Sequence, residues 1–127
     1  MKLTDEKEIS WWAYNQCLKN DTKQMRRLIT DSGWAYCYCI NVKDIKEIWK
    51  KITDSYYVYR YCKDIEDREE VWSKIIESWW AYCYCKDVKD REEIWKKINT
   101  QSIAEMYCRN VKDRPEVRRY IKDEINR

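Results

Sequence analysis

The amino-acid sequence predicts an all-α fold, organised as a right-handed α-solenoid of five short helix-turn-helix repeats. Three observations carry this expectation. Cys39, Cys62, Cys85 and Cys108 recur at an interval of 23 residues, and a fixed period in this range marks tandem units that bury a shared core only by stacking. One Gly and one Pro in 127 residues imply helices joined by turns of other chemistry. Ile48/Ile52, Val71/Ile75, Ile94/Ile98 and Val117/Ile121 each lie four residues apart, which places one apolar stripe on each of a series of helices.

Taken in order, the chain reads as a single repeat domain over 1–127: an N-terminal cap (1–9), units 10–31, 32–54, 55–77, 78–100 and 101–123, and a tail (124–127). The first unit is one residue short between Cys17 and Asp21, and Arg26 stands where the next three units have Trp49, Trp72 and Trp95. The first helix of a unit is expected to start at a serine cap, Ser10, Ser32, Ser55 or Ser78. It then carries a small-residue column (Ala13, Ala35, Val58, Ala81, Ala104) and, four residues on, the cysteines. Being apolar nearly all round, it belongs to the inner layer. The second helix is expected to start at an aspartate with Glu or Gln three residues later: Asp21/Gln24, Asp44/Glu47, Asp67/Glu70, Asp90/Glu93 and Asp113/Glu116. That spacing is a capping-box pattern, and Pro115 fits its first turn. Both helices read as about nine residues, below the roughly 12–15 at which isolated helices become marginal in water. A lone unit is therefore not expected to fold.

Composition narrows the function classes. Apolar runs such as Trp79 to Cys85 are far short of the ~18 residues of a membrane span, and Met1 to Ser10 is too charged for a signal peptide. A soluble, cytoplasmic protein with no membrane partner is expected. Seven cysteines, an odd number, read as reduced packing residues and not as a disulfide framework. A net charge of +3 from 26 basic and 23 acidic residues gives no strong reason to expect a polyanion.

The segment Trp80-Ala-Tyr-Cys-Tyr-Cys-Lys-Asp-Val-Lys-Asp-Arg-Glu-Glu-Ile-Trp-Lys-Lys-Ile98 resembles short two-helix repeats of bacteriophage and giant-virus proteins, similar in style to leucine-rich-repeat variants. Arg109-Asn-Val-Lys-Asp-Arg-Pro-Glu-Val117 in the last unit is a closer match, and Cys stands where Ala is expected. The resemblance spans nearly the whole chain. It implies the repeat fold and a viral or mobile-element setting, and it carries no catalytic residue to transfer.

Cys37/Cys39 and Cys83/Cys85 are two residues apart, so on a helix their thiols point about 200° apart and do not share one ion. Thiols from adjacent units remain open as neighbours, but no metal or cofactor is expected. With no His in the chain, a cysteine nucleophile lacks its usual base, and a single Gly gives no phosphate loop. No enzyme is expected. An alternative nucleic-acid face consists of Trp49, Trp72 and Trp95 with Lys50 and Lys96, aromatics that could stack bases beside basic groups. Lys51, Lys74 and Lys97 stand in the same stretches, as do the acidic Glu69, Glu70, Glu92 and Glu93, which break the stripe. The favoured face is a partner-binding ladder of Tyr14, Tyr36, Tyr59 and Tyr82 with Trp11, Tyr56 and Trp79, because Tyr and Trp are enriched at binding hot spots. The competing reading of the ladder is a filled seam between units. The expected function is non-catalytic binding of a host protein as a stoichiometric modulator or inhibitor, with anti-defence (for example anti-CRISPR) action the leading specific case. Nucleic-acid binding and a structural virion role are the alternatives.

Overall fold

The computed structural model describes residues 5–122, so the tail 124–127 and the first residues of the expected N-terminal cap lie outside the described residues. The described chain is all-α: ten helices and no strand. Five longer helices alternate with five short ones. The longer set is α1 (Glu6–Lys19), α3 (Ser32–Asn41), α5 (Ser55–Asp64), α7 (Ser78–Asp87) and α9 (Gln101–Asn110). The short set is α2 (Lys23–Leu28), α4 (Lys46–Trp49), α6 (Glu69–Trp72), α8 (Glu92–Trp95) and α10 (Pro115–Arg118). Longer helices pack in chain order, α1 on α3, α3 on α5, α5 on α7 and α7 on α9, and each also contacts its own short helix. No described helix is long and apolar enough to cross a membrane.

The small-residue column makes this approach possible. Ala13, Ala35, Val58, Ala81 and Ala104 are wholly buried, and so are the rings of Tyr38, Tyr61, Tyr84 and Tyr107. Ile48, Val71, Ile94 and Val117 from the short helices close the same core, with Ile52, Ile75 and Ile98 just beyond them. Rings of this size remove on the order of 150–250 Å² each from water, so the tyrosines contribute much of the apolar burial. The turns need no left-handed residue: no described residue has positive φ. Val42, Ile65, Val88 and Val111 end the longer helices near φ −115°, with their N–H bonded to the carbonyl four residues back.

The capping chemistry differs from the sequence expectation. Ser10 lies inside α1, which starts at Asp5, whose carboxylate accepts the Lys7 N–H at 2.7 Å. Ser32, Ser55 and Ser78 are first helical residues, and the caps are Asp31, Asp54 and Glu77. The serines serve a longer-range purpose. Ser10 Oγ accepts the N–H groups of Thr30 and Asp31 at 2.9 and 3.0 Å, and Ser32 Oγ those of Thr53 and Asp54 at 3.0 and 3.1 Å. Each ties the end of its unit back to the start.

The predicted aspartate capping boxes are also corrected. Thr22 caps α2 through its hydroxyl, while Ile45, Arg68, Arg91 and Arg114 precede the other short helices without a side-chain cap bond. Four of the short helices have only 4 residues, not about nine. The backbone then tightens into a 3₁₀-like turn, as in Lys51 N–H to Ile48 O at 2.9 Å and Ile52 N–H to Trp49 O at 3.1 Å. Carbonyls at the ends of the short helices accept an ammonium from the following unit. Lys51 donates to Arg26 O at 2.8 Å, and Lys74 to both Lys50 O and Ile52 O at 2.9 Å. Lys97 donates in the same way to Ser73 O and Ile75 O. A cation at a helix C-terminus satisfies orphan carbonyls and favours the dipole.

Candidate functional site

The displaced aspartates build the contacts between units. Asp44, Asp67 and Asp90 accept the hydroxyls of Tyr61, Tyr84 and Tyr107, each from the next unit, at 2.7, 2.6 and 2.6 Å. Each hydroxyl in turn accepts from Nε of Arg68, Arg91 or Arg114 at 2.7, 2.6 and 2.6 Å. Nη2 of the same arginine closes the loop on the other carboxylate oxygen at 3.2, 2.7 and 2.7 Å. The guanidinium also lies 5.3, 5.0 and 5.0 Å from the ring centres of Trp49, Trp72 and Trp95 in the preceding unit. Burial, reinforced by the aspartate, pushes the three phenols above their ordinary range, so they remain neutral donors.

This arrangement explains Arg26. In the first seam the arginine column holds Ile45, and the guanidinium comes from the tryptophan column: Arg26 pairs with Asp21 at 3.1 Å and with Glu47 at 2.9 Å. The last unit makes the same exchange. Arg118 closes on Asp113 with two bonds of 2.8 and 2.9 Å. Tryptophan occupies that column only where the next unit brings an arginine over it.

The alternative nucleic-acid residues are placed accordingly. Trp49, Trp72 and Trp95 are each 5% exposed beneath a guanidinium, so their faces are not open to a base. Lys50 and Lys96 are exposed, Lys96 beside Glu92 at 3.4 Å, whereas Lys51, Lys74 and Lys97 are held on carbonyls.

Of the two readings of the tyrosine ladder, the geometry is that of a seam. Tyr14, Tyr36, Tyr59 and Tyr82 are 8%, 8%, 7% and 2% exposed. Their hydroxyls meet one column of the following unit: Asn41 donates to Tyr14 at 2.9 Å, Tyr36 donates to Asp64 at 2.7 Å, Tyr59 donates to Asp87, and Asn110 donates to Tyr82 at 2.9 Å. Burial and the Asp64 carboxylate push the Tyr36 phenol up to about 12. Ring contacts repeat as well, with Tyr14 on Trp34, Tyr36 on Tyr57 and Tyr59 on Trp80 at centroid separations of 5.3, 5.9 and 5.5 Å.

The other three predicted partner residues are less buried than the ladder, and Trp79 meets its last member, Tyr82, at a centroid separation of 5.7 Å. Trp11 and Trp79 are 47% and 43% exposed, and Tyr56 is half-buried. All three occupy the second position of their unit, where unit 32–54 has Gly33. Tyr56 and Trp79 both touch Trp80, at 5.2 and 6.3 Å. At Gly33 this aromatic row is interrupted, and a groove of about 510 Å³ opens. Trp11, Trp34 and Tyr57 line it with Gly33 and Cys37, and Asp5, Lys7, Glu8 and Asp31 complete the lining. A Cβ at position 33 would lie 3.0 Å from both Cζ and the hydroxyl oxygen of Tyr57, so the glycine is what lets that ring sit there. The signal for the groove is one small residue in an otherwise aromatic column.

All seven cysteines are free, and no group of three His, Cys, Asp or Glu side chains suited to a metal ion occurs among the described residues. Cys39, Cys62 and Cys85 are buried, and desolvation pushes their thiols up to about 12, which disfavours the reactive thiolate. No family model, curated protein or solved structure matches the chain.

Proposed function

We propose that this chain is a right-handed α-solenoid of five two-helix repeats that binds a partner protein without catalysis, using the exposed aromatic edge formed by Trp11, Tyr56 and Trp79. The carrying observation is that three indoles stay exposed, Trp11, Trp12 and Trp79 at 47%, 38% and 43%, and two of them stand on this edge, while most other rings are drawn into seams. Large rigid aromatics left in water are the residue types that anchor interfaces, and an array of similar units offers a continuous face for them. Within this reading the repeat resemblance makes a phage- or mobile-element-encoded blocker of a host protein the narrower proposal. The test is affinity capture from bacterial lysate with wild type, a Trp11→Ser/Trp79→Ser variant, and a Trp49→Phe control. Loss of one stoichiometric partner in the double variant alone supports the edge. Equal retention by a folded double variant rejects it.

A further inference from the structure

We propose that the groove at Gly33 receives the guanidinium of an arginine side chain carried by the partner protein. This rests on the partner-binding reading above and specifies the chemistry of that partner. The molecule already contains such an arrangement one unit further on. Arg60 lies 5.5 Å from the ring centre of Tyr36 and 5.8 Å from that of Tyr56, and it bonds Tyr56 Oη and Asp64 Oδ2, each at 2.8 Å. Stepping back by the 23-residue period, Arg60 corresponds to Cys37 and Tyr56 to Gly33. The cation, one of its flanking rings and its carboxylate partner, since Asp64 corresponds to Asn41, are therefore absent where the groove opens, and the groove offers rings and carboxylates from other columns in their place.

The lining favours replacing that cation from outside. Trp11, Trp34 and Tyr57 offer π faces, and three carboxylates, Asp5, Glu8 and Asp31, stand against the single ammonium of Lys7. A planar guanidinium stacks on aromatic faces and pairs with carboxylates at once. First-turn amides that would otherwise attract an anion already have partners: Lys7 and Glu8 N–H on Asp5, and Trp34 N–H on Asp31. A carboxylate or phosphate entering the groove would meet acidic neighbours and no free first-turn donor among these three.

The experiment titrates the purified full chain with acetylated and amidated Gly-Arg-Gly, Gly-Leu-Gly and Gly-Glu-Gly, following the indole N–H signals of Trp11 and Trp34 by NMR. The arginine peptide alone should give a saturable shift at those two signals. Glu8→Gln combined with Asp31→Asn should weaken it about five- to tenfold, the scale of two partly exposed ion pairs. The Asn variant keeps a side chain able to cap α3, and an unchanged dichroism spectrum checks the fold. Gly33→Ala, which displaces Tyr57, should also weaken binding, while Ile76→Ser, at an exposed side chain outside the groove lining, should leave it unchanged. Absence of a saturable shift with the arginine peptide, equal affinity for the leucine or glutamate peptide, or indifference to the carboxylate changes overturns the proposal. Because these titrations contain no partner, their failure is separate from failure of the lysate capture, which judges the aromatic edge.

Discussion

Replacing Tyr84 by Phe removes one oxygen and nothing else, and that oxygen is the hub of a seam. It donates to Asp67 at 2.6 Å and accepts from Arg91 Nε at 2.6 Å. The ring itself is wholly buried, so its apolar contribution stays with Phe. Hydrogen bonds to charged groups contribute about 1.5–3 kcal/mol each. Two are lost, but the direct Arg91–Asp67 pair at 2.7 Å survives, and both side chains are 23–25% exposed, so water recovers part of the loss. The expected cost is about 2–3 kcal/mol. It should be measured by urea denaturation at pH 7, followed by tryptophan fluorescence and far-UV dichroism. Tyr38→Phe provides an internal comparison, because Tyr38 donates to Asp21 and no arginine from its own unit stands at the matching column. Its cost should be smaller, about 1–2 kcal/mol. A loss below about 0.5 kcal/mol for Tyr84→Phe, within the range of neutral surface changes, would refute the idea that the Asp–Tyr–Arg loop holds neighbouring units together.

Arg26→Trp alone should cost about 1–2 kcal/mol because Asp21 and Glu47 lose their guanidinium, whereas Arg26→Trp with Ile45→Arg should recover most of it. A double-mutant cycle with coupling under about 0.5 kcal/mol would show the two columns to be independent. Lys74→Met should destabilise by about 1 kcal/mol through its two carbonyl bonds, checked by the shift in urea midpoint at constant slope. For pH, the buried thiols of Cys39, Cys62 and Cys85 are raised to about 12 when folded. Their protonated form is favoured by folding, so the associated stability is complete below the ordinary thiol range of about 8.5. It is lost as pH climbs toward 12, at up to ~1.4 kcal/mol per pH unit for each thiol. Under reducing conditions the Cys39→Ala/Cys62→Ala/Cys85→Ala variant should fold at modest cost and show a shallower decline between pH 9 and 10. An identical slope would remove the thiols from the account.

The helical content and the identity of the buried columns were legible in the sequence because they depend on periodicity within one unit. The capping boxes were misread for a physical reason. Aspartate followed by glutamate three residues later suits a local cap, yet Asp44, Asp67 and Asp90 each take a partner 17 residues ahead, in the next unit. A pattern confined to one unit cannot distinguish a carboxylate that bonds its own helix from one that bonds a neighbour. The serines mislead in the same way, bonding backbone amides 20 to 22 residues on. The sequence shows the tyrosine column as a row of rings, but the partners of its hydroxyls, Asn41, Asp64, Asp87 and Asn110, arrive from the following unit. The exceptions were the available clue. Ile45 and Arg26 depart from their columns together at the first seam, and Gln16 and Arg118 depart on the outward faces of the first and last units; the joint departure at the seam reveals which columns touch.

The exchange of tryptophan for arginine at Arg26 and Arg118 gives the array a direction. An interior unit presents Asp and Trp to its successor and Tyr and Arg to its predecessor, so units 55–77 and 78–100 are chemically interchangeable at their joints. An in-frame gene duplication or loss of one such segment would join matching surfaces and change only the number of rungs. The terminal units are not equivalent in this respect. Unit 10–31 would meet a predecessor with Gln16 and Thr22 in place of the tyrosine and arginine, and unit 101–123 has already turned Arg118 onto its own Asp113. Neither outer face carries the full set of side chains that the interior joints share, so a unit added there would need changed partners, whereas one inserted at an interior joint would not.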